Sequence, residues 1–305
     1  MKKIFCTVLA AVLMLSVFTA CSQKPENQPS AESGSTVNFG LQFTYDAAYA
    51  DYNGSVVSAF ESLCDAVVNF ESNVRMNMYL YDNVMRLFYT SFPLNVLVKD
   101  IKVSEDNSGV ELTYLYDKEI HTNAVNEFSA KVLQMKEECL QDSDSKEAYI
   151  IKAYHYVASH INISDDATIM LYDTVMKGEG SSYSYSSLFE YLLLQNGIPA
   201  YHVIADGENG GGWGVAQFEM GGFLYFADVM SEYYANGGEQ LTCFGMTTQE
   251  IAKDALSKPQ YTDQTGAKEA TDVTFDFCRA CTAWEIKDNK LLVTNNDGIV
   301  IKYAL

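Results

Sequence analysis

The chain has 305 residues, with 20 Lys and Arg against 40 Asp and Glu and a formal charge of −20 at neutral pH. Such an acid excess repels polyanions, which excludes nucleic acid as a partner and any basic patch for anionic lipid. Hydrophobic residues make up 48%, a globular level, and the length allows one large domain or two small ones.

Lys2 and Lys3 precede an apolar run from Ile4 to Phe18. The run falls short of the ~20 residues of a spanning helix and reads as an export signal, residues 1–20. Thr19 and Ala20 before Cys21 resemble a bacterial lipoprotein signal, with Phe18 where that pattern usually has leucine. The resemblance implies lipidation of Cys21 and anchoring at the outer face of the cytoplasmic membrane. Residues 21–40 are rich in Ser, Pro, Glu, Gln and Asn, and are expected to form a disordered tether.

Past the tether, Val56, Val57, Phe60, Leu63, Cys64, Val67, Val68 and Phe70 recur at three- and four-residue intervals, which predicts a helix over 55–70. A short helix follows over 81–89, stopped near Pro93. Met76, Met78 and Met85 read as core fillers. Rough alternation over 94–103 and 110–116, around Glu105-Asp106-Asn107-Ser108-Gly109, predicts a hairpin. Helices are expected over 122–139 and 145–161, with Asp144 and Glu147 in a capping-box arrangement.

His155 and His160 are five apart, about 140° around a helix, and so cannot face one metal. His121 stands at a predicted helix start and invites no functional reading.

The stretch Lys177–Val229 is the most informative. A glycine-flanked turn leads into an amphipathic helix beginning near Ser182, a Gly197-Ile198-Pro199 stop, and three β-like runs separated by glycines. Trp213 opens one strand and Asp228 ends the next. After Val229 a Ser-Glu-Tyr-Tyr-Ala-Asn-Gly-Gly loop is expected, then a strand-like 241–246 and a helix start at Thr247-Thr248. Short strands follow from Val273 to Tyr303, with turns at Asp288-Asn289 and 295–298.

Beyond Cys21 the mature chain has Cys64, Cys139, Cys243, Cys278 and Cys281, an odd number without the spacing of a disulfide framework. Cys278-Arg-Ala-Cys281 has C-x-x-C spacing. It lies in a β-like run rather than at a strand-to-helix turn, and holds half the ligands of a structural zinc. A local disulfide or plain packing is expected there, and no metal or cofactor.

Tyr185, Phe189, Tyr191, Leu192 and Leu193, the Gly197-Ile198-Pro199 stop, Trp213, and Leu224-Tyr-Phe-Ala-Asp228 are similar to the core motif of bacterial transglutaminase-like domains. The similarity extends over about residues 55–255. It implies an α+β, papain-like core over 141–260, a helix packed on an antiparallel sheet. A helical and hairpin subdomain over 41–140 would precede it and a β extension over 261–305 would follow.

That family aligns cysteine, histidine and aspartate. At those positions this chain has Ser182, Gly211 and Asp228. A serine hydroxyl ionises far above a thiol and needs a positioned base. The resemblance with these replacements implies a catalytically inactive domain. It would bind a peptide or glycan in a cleft near Tyr183, Tyr185, Trp213 and Asp228, or serve as a surface scaffold.

One alternative is an active hydrolase or acyltransferase in which His202, on the strand Ala200–Ala205, serves as base for Ser182. Alternation places His202 on one face with Ala200 and Ile204, and Tyr201 and Val203 on the other. Which face meets the cleft is open. Asp228 also has a plainer use, capping a turn at a strand end. Gly210-Gly211-Gly212 is expected to form a mobile loop beside the cleft mouth.

Overall fold

A computed structural model describes residues 36–41, 54–140, 145–164, 170–206, 212–254, 268–271 and 274–305. The expected signal, Cys21, Asp144 and Gly211 lie outside the described residues. Ser35–Leu305 forms one compact unit of mixed helix and sheet. Its main apolar cluster takes residues from Val56 through Val293.

Helix α1, Gly54–Val68, buries Val56, Phe60, Leu63, Cys64 and Val67, the face its periodicity marks. β1 (Asn73–Arg75), β2 (Val98–Val103) and β3 (Gly109–Tyr114) pair antiparallel in the order β1-β3-β2. Ser104 and Asp106 close the β2–β3 turn by accepting the Ser108 N–H. Helix α2 is Tyr81–Ser91.

The strand expected from Leu94 begins later, because Pro93 opens a 3-10 turn over Pro93–Leu97. Proline's fixed φ suits a helical first position and its missing N–H serves no ladder.

Helix α3, Lys118–Cys139, starts four residues early because the Asp117 carboxylate accepts the Ile120 N–H. Ser145, not Asp144, is the N-cap of α4, Lys146–His160, and accepts the Ala148 N–H. The short strands β4 (Asn162–Ile163) and β5 (Glu179–Gly180) pair in parallel around α5, Leu171–Lys177.

Helix α6, Ser182–Leu194, buries Tyr185, Leu188, Phe189, Tyr191, Leu192 and Leu193 together with Ser184, Ser186 and Glu190, and lies against the sheet on one side and α4, α5 and the following helix on others. β6 (Ala200–Asp206), β7 (Gly212–Met220) and β8 (Phe223–Ala227) form the antiparallel sheet expected there. β9 (Lys268–Glu269) joins β8 in parallel.

The loop expected after Val229 is helix α7, Val229–Asn236. Asp228 caps its start and Gly237, at φ 71°, ends it. The buried Glu232 accepts from Tyr154 Oη (2.6 Å), Thr242 Oγ1 (2.8 Å) and the Cys243 N–H (2.6 Å), which ties α7 to α4. Residues 241–246 supply one bridge, Met246 to Phe226, rather than a strand. Helix α8 is Thr248–Asp254.

A 3-10 turn over Asp276–Ala280 holds Cys278, and Cys281 begins β10 (Cys281–Lys287), which pairs with β11 (Lys290–Asn295) and β12 (Val300–Ala304). Asp288 and Asn289 both have positive φ, 51° and 55°, the pair that a tight two-residue hairpin requires. Cys64, Cys139, Cys243, Cys278 and Cys281 are free thiols. Among the described residues no helix is long and apolar enough to cross a membrane.

The last residues of the expected tether are not free of the body. Val37, Phe39 and Leu41 pack against the main cluster. Their alternation suits an extended segment with one apolar edge, which composition averaged over 21–40 conceals.

Candidate site at the head of the central helix

Ser181 caps α6 in a box with Ser184, whose Oγ accepts the Ser181 N–H at 2.6 Å. Ser182 follows at the first helical position, half-buried, and Tyr183 is 37% exposed. Tyr185, expected at the cleft wall, is fully buried, and its hydroxyl donates to the Ile161 carbonyl. It belongs to the core.

Residues four apart on a helix lie one above another. Ser182, Ser186 and Glu190 therefore make a stripe down α6, and the stripe faces the sheet. His202 pairs in register with Ala216, and Ala216 with Ala227, so the imidazole points toward α6. Its Nδ1 is 3.0 Å from Ser186 Oγ and 3.7 Å from Glu190 Oε1. A Cβ on Gly214 would come within 2.5 Å of Ser186 Oγ, 2.7 Å of His202 Cε1 and 2.9 Å of the Ser182 carbonyl oxygen. The glycine lets helix and sheet close on this seam.

The Ser182, His202 and Asp228 constellation is not assembled. Among the described residues no hydrogen bond joins His202 to Ser182 or to Asp228. The serine that meets the imidazole is one turn deeper, because the sheet crosses α6 below its first turn. Ser186 is 1% exposed and sealed from substrate.

The Asp228 carboxylate is committed elsewhere. It accepts from Trp213 Nε1 at 3.0 Å, the Ser231 N–H at 2.9 Å and Ser231 Oγ at 2.7 Å. This is the plainer capping use. Trp213 rises from the sheet face opposite His202, beside the small cluster of Val203, Val215, Phe226, Met246 and Ile251.

Burial sets the charge of the seam. Loss of solvent pushes the His202 imidazole down to about 4 and lifts the Glu190 carboxyl well above the usual carboxylate range. A general base is best poised near the working pH, and His202 is far below it. Neither Glu190 oxygen has a hydrogen-bond partner. The arrangement holds a helix to a sheet through polar groups.

A groove opens on the other flank of α6. Tyr183, Ser184 and Ser187 face Tyr89, Phe92 and Pro93 across it, and Met170 and Leu171 close one end of a cavity of about 100 Å³. Tyr89 and Met170 stand at the rim, 55% and 48% exposed. Of the residues expected to line a cleft, Tyr183 is in this groove, while Tyr185, Trp213 and Asp228 are not among its walls.

The remaining histidines have separate structural contacts. His121 is buried in α3 with Nε2 2.7 Å from the Val67 carbonyl oxygen. His155 Nδ1 meets the Gly238 carbonyl oxygen at 2.8 Å and His160 Nδ1 the Tyr156 carbonyl oxygen at 3.1 Å. No group of three or more His, Cys, Asp or Glu among the described residues is placed to hold a metal ion.

Sequence reasoning missed Ser186, Glu190 and Gly214. The signal was present, since a glutamate amid Phe189, Tyr191, Leu192 and Leu193 has no solvent face to occupy. The 182, 186 and 190 spacing places it under the two serines.

No family model and no curated protein matches the sequence. Among solved structures, one described as the crystal structure of a TGase matches over 40% of this chain and 38% of its own, at 15% identity and a TM-score of 0.32.

Proposed function

We propose that this is an extracytoplasmic lipoprotein, anchored through Cys21, whose transglutaminase-like, papain-like core has lost its chemistry and binds a peptide. The observation that carries the reading is the commitment of the catalytic positions. The His202 imidazole is joined to the buried Ser186, and the Asp228 carboxylate to Trp213 and Ser231. Among the described residues no hydrogen bond brings a base to the Ser182 hydroxyl, which an attacking serine needs.

The binding half of the reading rests on the groove beside Tyr183. Its volume, about 100 Å³, is a third of the ~300 Å³ at which pockets for whole small molecules begin. One aliphatic side chain fits. Tyr89, Phe92, Pro93 and Leu171 offer that side chain apolar contact, and Ser187 offers a hydroxyl to the adjoining backbone. A sugar ring would need more donors and acceptors at its floor. The acid excess of the chain, 40 against 20, favours flanking Lys or Arg in the peptide.

Two measurements test this. The purified chain is treated with a serine-directed fluorophosphonate and digested for mass spectrometry; Ser182 is expected to stay unlabelled, and labelling there overturns the loss of chemistry. Lys-Leu-Lys peptides are then titrated by calorimetry against the wild type and Tyr183→Ala. Binding weakened about tenfold by the substitution is expected. Binding of glycan fragments instead, or no effect of Tyr183→Ala, overturns the peptide assignment.

A further inference from the structure

The segment 36–41 is held by a two-way amide clasp. The Asn38 N–H donates to Gln195 Oε1 at 3.0 Å, and Gln195 Nε2 donates back to the Asn38 carbonyl at 2.7 Å. Tyr191 Oη donates to the same carbonyl at 3.4 Å. The Asn38 side chain accepts the Gly40 N–H at 3.0 Å, which turns the segment over α1 beside Glu61.

Gln195 satisfies both backbone polar groups of one residue, Asn38, the arrangement by which a strand residue is bound on a sheet edge. Here a single side chain does it, at the carboxyl end of α6. Side-chain specificity comes from Phe39. Its ring meets Phe92 edge-on with centroids 6.4 Å apart and Phe128 of α3 at 6.1 Å.

Phe92 has a second duty, since it lines the groove beside Tyr183. It belongs to a wall made stiff by its own contacts. Asn95 Nδ2 donates to the carbonyls of Phe88 and Tyr89, at 3.3 and 3.2 Å, and the Phe88 and Phe92 rings lie 5.2 Å apart. The segment 36–41 therefore presses on one side of a wall whose other side is the groove. The clasp and the groove sit at opposite ends of α6, Tyr191 and Gln195 at one and Tyr183 and Ser184 at the other.

We propose that residues 36–41 are a latch. Docked, they seat Phe92 and hold the wall of residues 88–95 against α6; released, they loosen it, so that groove affinity depends on the latch. This rests on the binding reading for its affinity half and on the contacts alone for its conformational half. Linkage is reciprocal: a groove ligand must tighten the latch by the same factor by which the latch tightens the ligand.

Hydrogen exchange on the full chain tests it, with Phe39→Ala and Gln195→Ala as separate variants. Neither residue is a groove wall, and the pair removes the ring and the clasp independently. Without any ligand, each variant is expected to raise exchange about tenfold at 36–41 and 88–97 and to leave β7 and β8 unchanged. Faster exchange at 36–41 with 88–97 unmoved overturns the latch. Lys-Leu-Lys peptide is then titrated, with about tenfold weaker binding expected in both variants. If 88–97 responds while wild type binds no peptide, the latch stands and the peptide reading falls.

Discussion

Replacing Glu190 with methionine should stabilise the fold, although it alters the most buried polar residue of the central helix. Glu190 is 0% exposed, among the described residues neither carboxyl oxygen has a hydrogen-bond partner, and Oε1 is 3.7 Å from His202 Nδ1. An unsatisfied buried polar group costs ~1–3 kcal/mol. Methionine has similar length, good helix propensity and no polar atom to satisfy, and a volume-conserving swap costs under ~1.5 kcal/mol. The swap cost set against the gain leaves an expected net stabilisation of ~0–3 kcal/mol, up to about 6 °C in Tm for a chain of this size.

The pH dependence gives the sharper test. The folded state keeps the Glu190 proton above the ordinary value of 4.5 while the unfolded state releases it. Stability therefore falls as pH rises past 4.5, and the substitution abolishes that loss. Calorimetric melting at about pH 7.5 and about pH 5 should show the larger gain at the higher pH. A destabilised variant, or a gain equal at both pH values, would refute the reasoning.

The same linkage predicts the reverse slope for His202. Its folded value of about 4 lies below the ordinary 6.5, so the wild type should lose ~3 kcal/mol as pH falls through that window, and His202→Gln should lose none of it; equal acid sensitivity in the two by urea titration would contradict this. Gly214→Ala drives a Cβ to within 2.5 Å of Ser186 Oγ and should cost ~1–3 kcal/mol, whereas an unchanged midpoint would mean the seam is looser than described. Asp228→Ala removes the cap of α7 and the Trp213 partner, for an expected loss of ~1–2 kcal/mol and a shift in tryptophan emission. Burial lifts the Cys139 and Cys243 thiols to about 12 and those of Cys64 and Cys278 higher. The buried Cys64, Cys139 and Cys278 should react with a disulfide reagent no faster than the chain unfolds, and rapid labelling of Cys64 would show that α1 opens locally.

The parts of this fold that read directly from sequence are those whose signal is local. The 3.6-residue spacing of α1, the glycine stop of α6 and the alternation of β6 to β8 each depend on residues close together. Helix α7 did not read as a helix. Its Tyr-Tyr-Ala-Asn-Gly-Gly composition resembles a loop, and what forms it is Glu232, buried against Tyr154 from 78 residues upstream. The tether was misjudged at its end for the same reason, since Asn38 finds its partner at Gln195, 157 positions away.

At the site, the order of turn, helix and strands was legible. The identity of the serine facing His202 was not. That depends on the height at which the sheet crosses α6, which Gly214 sets through a contact that no periodicity records.

The clasp between Asn38 and Gln195 also orders events in time. Sheet β6 to β8 and the helix before it are neighbours along the chain, so their contacts close small loops and can form early. The clasp closes a loop of 157 positions around the whole body, and the surface it needs exists only after α3, α2 and α6 have met. The first described residues to be synthesised are therefore expected to be the last to be fixed. Pulse-labelled exchange during refolding should show the Asn38 amide protected after those of β6 and β7. A chain that emerges amino end first would carry this segment loose until nearly everything else has folded, and its capture would mark completion.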